Sequence, residues 1–265
     1  VKIILILLKW CRLEFLLIQL AFSLSVQADT LFVSSIRVQD LPAGEQVKAS
    51  GQKLISQPYG FTRITADTSL IQTVLHVAVH GFESEGYEWV ASVSKLAQVY
   101  NHTYFYRYDW QTCPDSAAVL LSASIDSLVG LSLGTEKVVL FGHSYGGLVV
   151  TFCAALLHLN IPIEVHSIAA PLRGYSRLFK SCSLSTGPDG EVLFLPWEKG
   201  VSHFQWRTQH LLDNAFRRFK FDPQEVLFPT STVTRLPATM DGQRLGHNWS
   251  VNWVIDEYLG IPHKP

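Results

Sequence analysis

An α/β domain with a mostly parallel sheet flanked by helices is the fold this 265-residue chain predicts, and three observations predict it. From Val74 onward, short apolar runs alternate with stretches of helical spacing, a pattern that calls for crossover connections between parallel strands. At the middle of that alternation stands Gly142-His143-Ser144-Tyr145-Gly146-Gly147, between the apolar run Val138 to Phe141 and the apolar stretch Leu148 to Leu159. That arrangement reads as a strand, a very tight turn and a buried helix. The length suits one such domain, and no internal repeat or low-complexity segment competes with it.

Composition narrows the function classes. Hydrophobic residues make up 48% of the chain and mean hydropathy is +0.18, in part because of the N-terminus. Net charge is −1 and no basic cluster rises above the background, so nothing points to nucleic acid as a partner. Residues 1–28 read as a signal peptide. Lys2, Lys9 and Arg12 supply the basic region, Leu13 to Val26 the apolar region, and Val26-Gln27-Ala28 a small-residue cleavage site. Lys9, Arg12 and Glu14 interrupt the apolar run, so it falls short of the roughly 20 residues of a membrane span. Export to a periplasm or to the outside of the cell is the expectation, with residues 29–265 as the folded domain. Cleavage would leave 18 basic and 21 acidic residues, a net of −3, and three cysteines. Cys153 falls in the apolar helix and reads as a buried thiol, which leaves Cys113 and Cys182 as the candidate pair in a compartment that tolerates disulfides.

The elements follow in order. Leu31 to Val38 and Phe61 to Ala66 read as short strands, separated by a polar stretch with Pro42, Gly44 and Gly51, and are expected to form an antiparallel edge. Val74 to Val79 is a continuous apolar run, as in a strand covered on both faces, and it stops at His80-Gly81-Phe82. Val90, Val93, Leu96, Ala97 and Tyr100 give Trp89 to Tyr100 a helical spacing. His102 to Trp110 is the next strand, and Pro114 to Leu131 an amphipathic helix opened by Pro114 and Asp115. After the central turn come a strand at Ile163 to Ala170, an irregular stretch from Tyr175 to Gly200, strands at His203 to Thr208 and Ser231 to Leu236, and a helix from Val251 to Leu259.

The central turn has a chemical meaning. A strand and helix can pass each other at so sharp a corner only if the residues two before and two after its apex are small, and Gly142 and Gly146 meet that need. The apex serine, Ser144, is then lifted clear of the sheet, and the Tyr145 N–H sits at a helix N-terminus facing any oxyanion that develops there. The plainer alternative makes Ser144 a helix cap and the glycines packing residues. With its strand and helix context, G-x-S-x-G resembles the nucleophile elbow of the α/β-hydrolase superfamily, and within it the lipase-like serine esterases.

That resemblance implies an α/β-hydrolase fold with a lid or cap insertion, and it carries over residue by residue. His80-Gly81-Phe82 is similar to the oxyanion loop of lipases, so the Phe82 N–H would donate beside that of Tyr145, with His80 organising the loop. Ala170-Pro171 running to Gly174 is similar to the Pro-x-x-Gly turn that leads into a cap. In the stretch 175–200, Phe194, Leu195 and Trp197 would either form a lid over an acyl pocket that opens at a lipid surface or fill a gap in the core.

The superfamily order of serine, acid, histidine puts the general base late. His247, between the last strand and the C-terminal helix, is the candidate; His203 and His210 come too early and His263 lies in the tail. The acid must lie between Ser144 and His247. Asp213 is preferred because it follows the penultimate strand, although Leu211, Leu212, Ala215, Phe216 and Phe219 also fit a helix that Asp213 would merely begin. Asp222 is the next candidate and Asp241 the third, while Asp109 precedes Ser144 and is read as structural. The histidines and cysteines lack metal-ligand spacing and the glycines lack a phosphate-loop pattern, so no metal or cofactor is implied. The expected reaction is hydrolysis of an acyl or lipid ester through an acyl-Ser144 intermediate. An acyltransferase, an amidase or thioesterase, and a non-catalytic lipid-binding module remain the alternatives.

Overall fold

The computed structural model describes residues 33–263 apart from 69, 70, 133 and 229. The expected signal peptide, 1–28, lies outside the described residues. Eight strands form one sheet in the order β1-β2-β4-β3-β5-β6-β7-β8. They are β1 (Val33–Arg37), β2 (Gly60–Thr65), β3 (Ile71–Val79), β4 (Tyr100–Arg107), β5 (Lys137–His143), β6 (Ile163–Ile168), β7 (Val201–Arg207) and β8 (Ser231–Arg235). From β4 to β8 every neighbouring pair is parallel. At the centre, β5 is buried almost throughout and β3 from Leu75 to Val79, which is why Val138 to Phe141 and Val74 to Val79 read as apolar runs.

Helices cover the sheet as crossovers. They are α1 (Val47–Ile55), α2 (Tyr87–Val99), α3 (Pro114–Leu131), α4 (Tyr145–Ala154), the short α5 (Ser176–Ser181) and α6 (Gly246–Leu259). α2 packs against α1 and α6, joining Trp89, Val93 and Leu96 to Leu54, Val251, Val254 and Ile255 in one core, while α3 packs against α4. Thr239–Met240 and Gln243–Arg244 pair as a small antiparallel hairpin just before α6.

Three expectations are revised. The N-terminal strands are not an antiparallel edge: β1 and β2 are parallel, with α1 crossing between them, and the antiparallel junction is β2 with β4. The sequence hides α1 because two of its three buried residues are Ser50 and Gly51, so its packed face carries little apolar period beyond Leu54. The C-terminal helix begins at Gly246, so His247 stands in its first turn rather than ahead of it. The stretch 175–200 is not a lid built on its apolar island. Phe194 packs on Phe152 and Phe228, and Trp197 lies on His203 and Phe228 while its indole N–H donates to the Thr151 carbonyl at 3.3 Å. Leu195 is exposed, and none of the three lines the cavity at Ser144. Cys113 and Cys182 form a disulfide, and Cys153 is a buried free thiol. Among the described residues no helix is long and apolar enough to cross a membrane.

Candidate active site

β5 delivers Ser144 to the C-terminal edge of the sheet, where the chain reverses into α4. Ser144 has φ +54 and ψ −119, a conformation that a side-chain-bearing residue holds only under constraint. Its N–H donates to the Ile168 carbonyl at 2.8 Å, tying the turn to β6. The two glycines are required by close approach. A Cβ on Gly146 would stand 2.4 Å from the carbonyl oxygens of both Val79 and His80, and one on Gly142 would stand 2.3 Å from the Gly146 carbonyl.

The His80-Gly81-Phe82 loop lies directly against the serine: a Cβ on Gly81 would come within 3.0 Å of Ser144 Cβ. His80 is anchored at both nitrogens. The Tyr108 backbone N–H donates to its Nε2 at 3.3 Å, so its Nδ1 carries the proton and donates to the Gly81 carbonyl at 2.8 Å. Burial lowers its pKa to about 4, so the ring is a neutral strut at neutral pH. The Tyr108 hydroxyl donates to the His80 carbonyl at 3.0 Å, bracing the same loop from β4's end.

His247 and Asp213 meet across the site. Nδ1 of His247 is 2.9 Å from Oδ2 of Asp213, which is fully buried. Asp213 follows a single turn at His210–Leu212 after β7, and the residues beyond it form turns rather than the helix their spacing allowed. Burial alone would raise the Asp213 pKa. The bonds it accepts from His247, the Thr208 hydroxyl and the Ala215 N–H outweigh that and hold it below the ordinary carboxylate range. An ionised Asp213 fixes the proton of His247 on Nδ1 and leaves Nε2 as the basic nitrogen. Phe216 presses edge-on against the imidazole, with ring centres 4.9 Å apart.

Ser144, Tyr145, Phe82 and His247 all line one cavity of about 660 Å³. Its walls are Trp110 from the end of β4, Tyr175 to Leu178 around α5, and Phe216 and Phe219 after Asp213. The other acids lie elsewhere. Asp222 pairs with Arg235 at 2.8 Å, Asp241 turns the Thr239–Arg244 hairpin at φ +51, and Asp109 accepts from the Gln111 N–H in a local turn. His210 bonds to the Phe216 carbonyl, and His263 stands beside Glu257. A second serine and histidine pair, Ser167 and His203, is joined at 2.9 Å between β6 and β7. Both are buried, His203 is held on its other nitrogen by Ser231, and neither lines the Ser144 cavity, so the pair is an interior polar seam beneath α4. Among the described residues no group of three His, Cys, Asp or Glu could hold a metal ion.

His143 is a site residue that pattern reading passed over. Its Nε2 donates to the His247 carbonyl at 3.2 Å and its ring lies 4.7 Å from that of His247. Burial pushes its pKa well down, so it is a neutral spacer that fixes the first turn of α6. The only signal was its place beside Ser144 in the elbow.

A family model described as the alpha/beta hydrolase family matches residues 77–262. No curated protein matches the chain. Among solved structures, the esterase Est1E from Butyrivibrio proteoclasticus is 16% identical, with 76% of this chain and 97% of that chain covered and a TM-score of 0.46. A lipase-esterase related protein from Clostridium acetobutylicum is 12% identical, covering 76% of this chain and 98% of its own, with a TM-score of 0.48. An a/b serine hydrolase without lid from Xanthomonas campestris is 16% identical, covering 77% and 89%, with a TM-score of 0.44.

Proposed function

The chain belongs to the alpha/beta hydrolase family, and from that premise we propose that it is an exported serine hydrolase of carboxylic, acyl or lipid esters. The observation that carries the reading is the bond of His247 to buried Asp213 beside a cavity that Ser144 shares. In this reading His247 Nε2 takes the Ser144 hydroxyl proton as Oγ attacks the ester carbonyl. The tetrahedral oxyanion rests on the N–H groups of Tyr145 and Phe82. Its collapse expels the alcohol, which receives the proton from His247 and leaves an acyl-Ser144. Water then repeats the cycle: His247 takes its proton, the acyl bond breaks, and the acid departs as Ser144 regains a hydrogen. Asp213 stabilises the imidazolium in both halves without accepting its proton.

The aromatic residues in the cavity wall, Phe82, Trp110, Tyr145, Tyr175, Phe216 and Phe219, support an apolar acyl group as the part that is held. The test is hydrolysis of p-nitrophenyl esters from acetate to palmitate, with Ser144→Ala as control. Loss of activity in the variant and a chain-length optimum are expected. A folded wild-type protein no faster than Ser144→Ala on every ester would overturn the reading.

A further inference from the structure

The two stretches that wall the Ser144 cavity around α5 and after Asp213 are strongly cationic, in a chain whose net charge is −1. Residues 171–182 carry Arg173, Arg177 and Lys180, residues 214–221 carry Arg217, Arg218 and Lys220, and neither contains an acidic residue. The two stretches meet. Tyr175 and Phe219 have ring centres 5.7 Å apart, the Arg173 N–H donates to the Pro223 carbonyl at 2.9 Å, and both stretches line the same cavity. None of the six cations has a carboxylate within salt-bridge distance among the described residues, and all but the half-buried Arg173 are exposed. Asp213 and Asp222, the acids that flank residues 214–221, are both buried, the first spent on His247 and the second on Arg235.

Large apolar side chains stand bare among these charges. Phe221 is 62% exposed with Arg173 and Lys220 over its ring, and Leu211 is 77% exposed in the turn just before Asp213. Leu212 beside it is also exposed. A soluble polyanion would be met by the cations alone and offers nothing to two leucines and a phenylalanine. A bilayer or micelle of anionic phospholipid meets both, its headgroups facing the guanidinium and ammonium groups and its acyl boundary the apolar side chains. We infer that the rim formed by residues 173–180 and 211–221 docks the protein on an anionic phospholipid surface, with the mouth of the Ser144 cavity turned toward the lipid. The inference takes its substrate from the ester reading, but docking itself needs no turnover.

The charge pattern explains why the sequence alone conceals the rim. Three cations in each of two segments some 35 residues apart are ordinary, and only the fold adds them together. Glu83, next to Phe82, is the one acid among the described residues that line the cavity, and Arg177 lies 5.2 Å over the Phe82 ring beside it.

The test is co-sedimentation of the Ser144→Ala protein with phosphatidylglycerol vesicles and with phosphatidylcholine vesicles at low and high salt. Partition should favour phosphatidylglycerol and collapse at high salt. Arg217→Glu with Arg218→Glu should cut it at least about 25-fold, since each cation near such a surface is worth about fivefold. Lys48→Glu with Lys199→Glu makes the same change of net charge on exposed residues outside the rim and should leave partition within about threefold. Thermal melting identifies any variant that fails to fold, and Leu211→Ser with Leu212→Ser, which should also weaken partition, stands in if the arginine pair does so. Equal binding to both lipids, an equal fall in the two charge-reversed pairs, or capture by heparin or an oligonucleotide without vesicle binding would overturn the inference. Vesicle binding without ester hydrolysis would sink the ester reading and leave the rim standing, and hydrolysis of soluble esters without vesicle binding would do the reverse.

Discussion

Replacing Asp213 by Asn tests the site at its most informative atom. Oδ2 now accepts from both His247 Nδ1 and the Thr208 hydroxyl, and Oδ1 accepts from the Ala215 N–H at 2.8 Å. An asparagine can keep the Ala215 bond with its carbonyl oxygen, which puts its amide NH2 where Oδ2 was. That group donates toward Nδ1, so Nδ1 must give up its proton and the neutral ring carries it on Nε2, the nitrogen that would have to take the Ser144 proton. A ring protonated there cannot act as the base, and the imidazolium formed in the transition state also loses its counter-charge. Together these effects are worth about 10⁴ in kcat, or ~5.5 kcal/mol. KM should change little because Asp213 does not line the cavity. The assay is steady-state hydrolysis of a soluble p-nitrophenyl ester, with a thermal melt to show that the variant is folded. Asp222→Asn is the comparison. It breaks the pair with Arg235, should cost about 2 kcal/mol of stability and should leave kcat within about tenfold. A folded Asp213→Asn enzyme within tenfold of wild type, or a larger loss in Asp222→Asn, would refute the assignment of the acid.

Further outcomes follow from the same contacts. Gly146→Ala puts a methyl group 2.4 Å from the Val79 and His80 carbonyls, so it should destabilise by about 1–3 kcal/mol in denaturant melts and displace the His80-Gly81-Phe82 loop, lowering kcat in the ester assay. His143→Ala removes the brace on the His247 carbonyl, which Ser250 also bonds, so kcat should fall about tenfold with KM unchanged in the ester assay. Acid should unfold the protein early. Burial lowers His76 and His203 to about 3 and His80 to about 4, so these rings stay neutral in the folded chain and charge near pH 6.5 in the unfolded one. Their stabilisation is present above pH 6.5 and is lost as pH falls from 6.5 toward about 4 for His80 and about 3 for His76 and His203. Three such groups give a slope approaching 4 kcal/mol per pH unit, readable as the pH dependence of the melting temperature.

What the sequence revealed, and what it did not, has a physical pattern. The central strands and the Ser144 turn were legible because burial on both faces demands unbroken apolar residues and the corner demands glycine. The contact of Asp213 with His247 was reachable only through the order of the elements, since 34 residues separate them. Local spacing argued for a helix at Asp213, and it misled because Phe216 and Phe219 are apolar for the cavity they line rather than for a helix face. α1 escaped notice because its buried face is mostly small residues. The island Val192 to Trp197 suggested a lid because a sequence shows that aromatics are grouped, not which surface they cover. Here Phe152 of α4 and Phe228 take them up. His143 and Thr208 act through bonds to partners distant in sequence or to a carboxylate whose own role was open, so Thr208 carried no signal and His143 none beyond its place next to Ser144.

The bridge from Cys113 to Cys182 fastens one wall of the Ser144 cavity, which Cys182 lines, to the start of α3. The Ser144, His247 and Asp213 cluster hangs on the sheet and α6 and does not depend on that fastening. The chemistry and the shape of the Ser144 cavity therefore answer to different conditions. In a thiol-rich cytoplasm the same polypeptide would keep Ser144, His247 and Asp213 together while the wall around α5 came loose, so on the ester reading a reduced preparation would turn over small esters normally and misreport acyl-chain preference. The redox history of a sample thus belongs among the variables of any selectivity measurement.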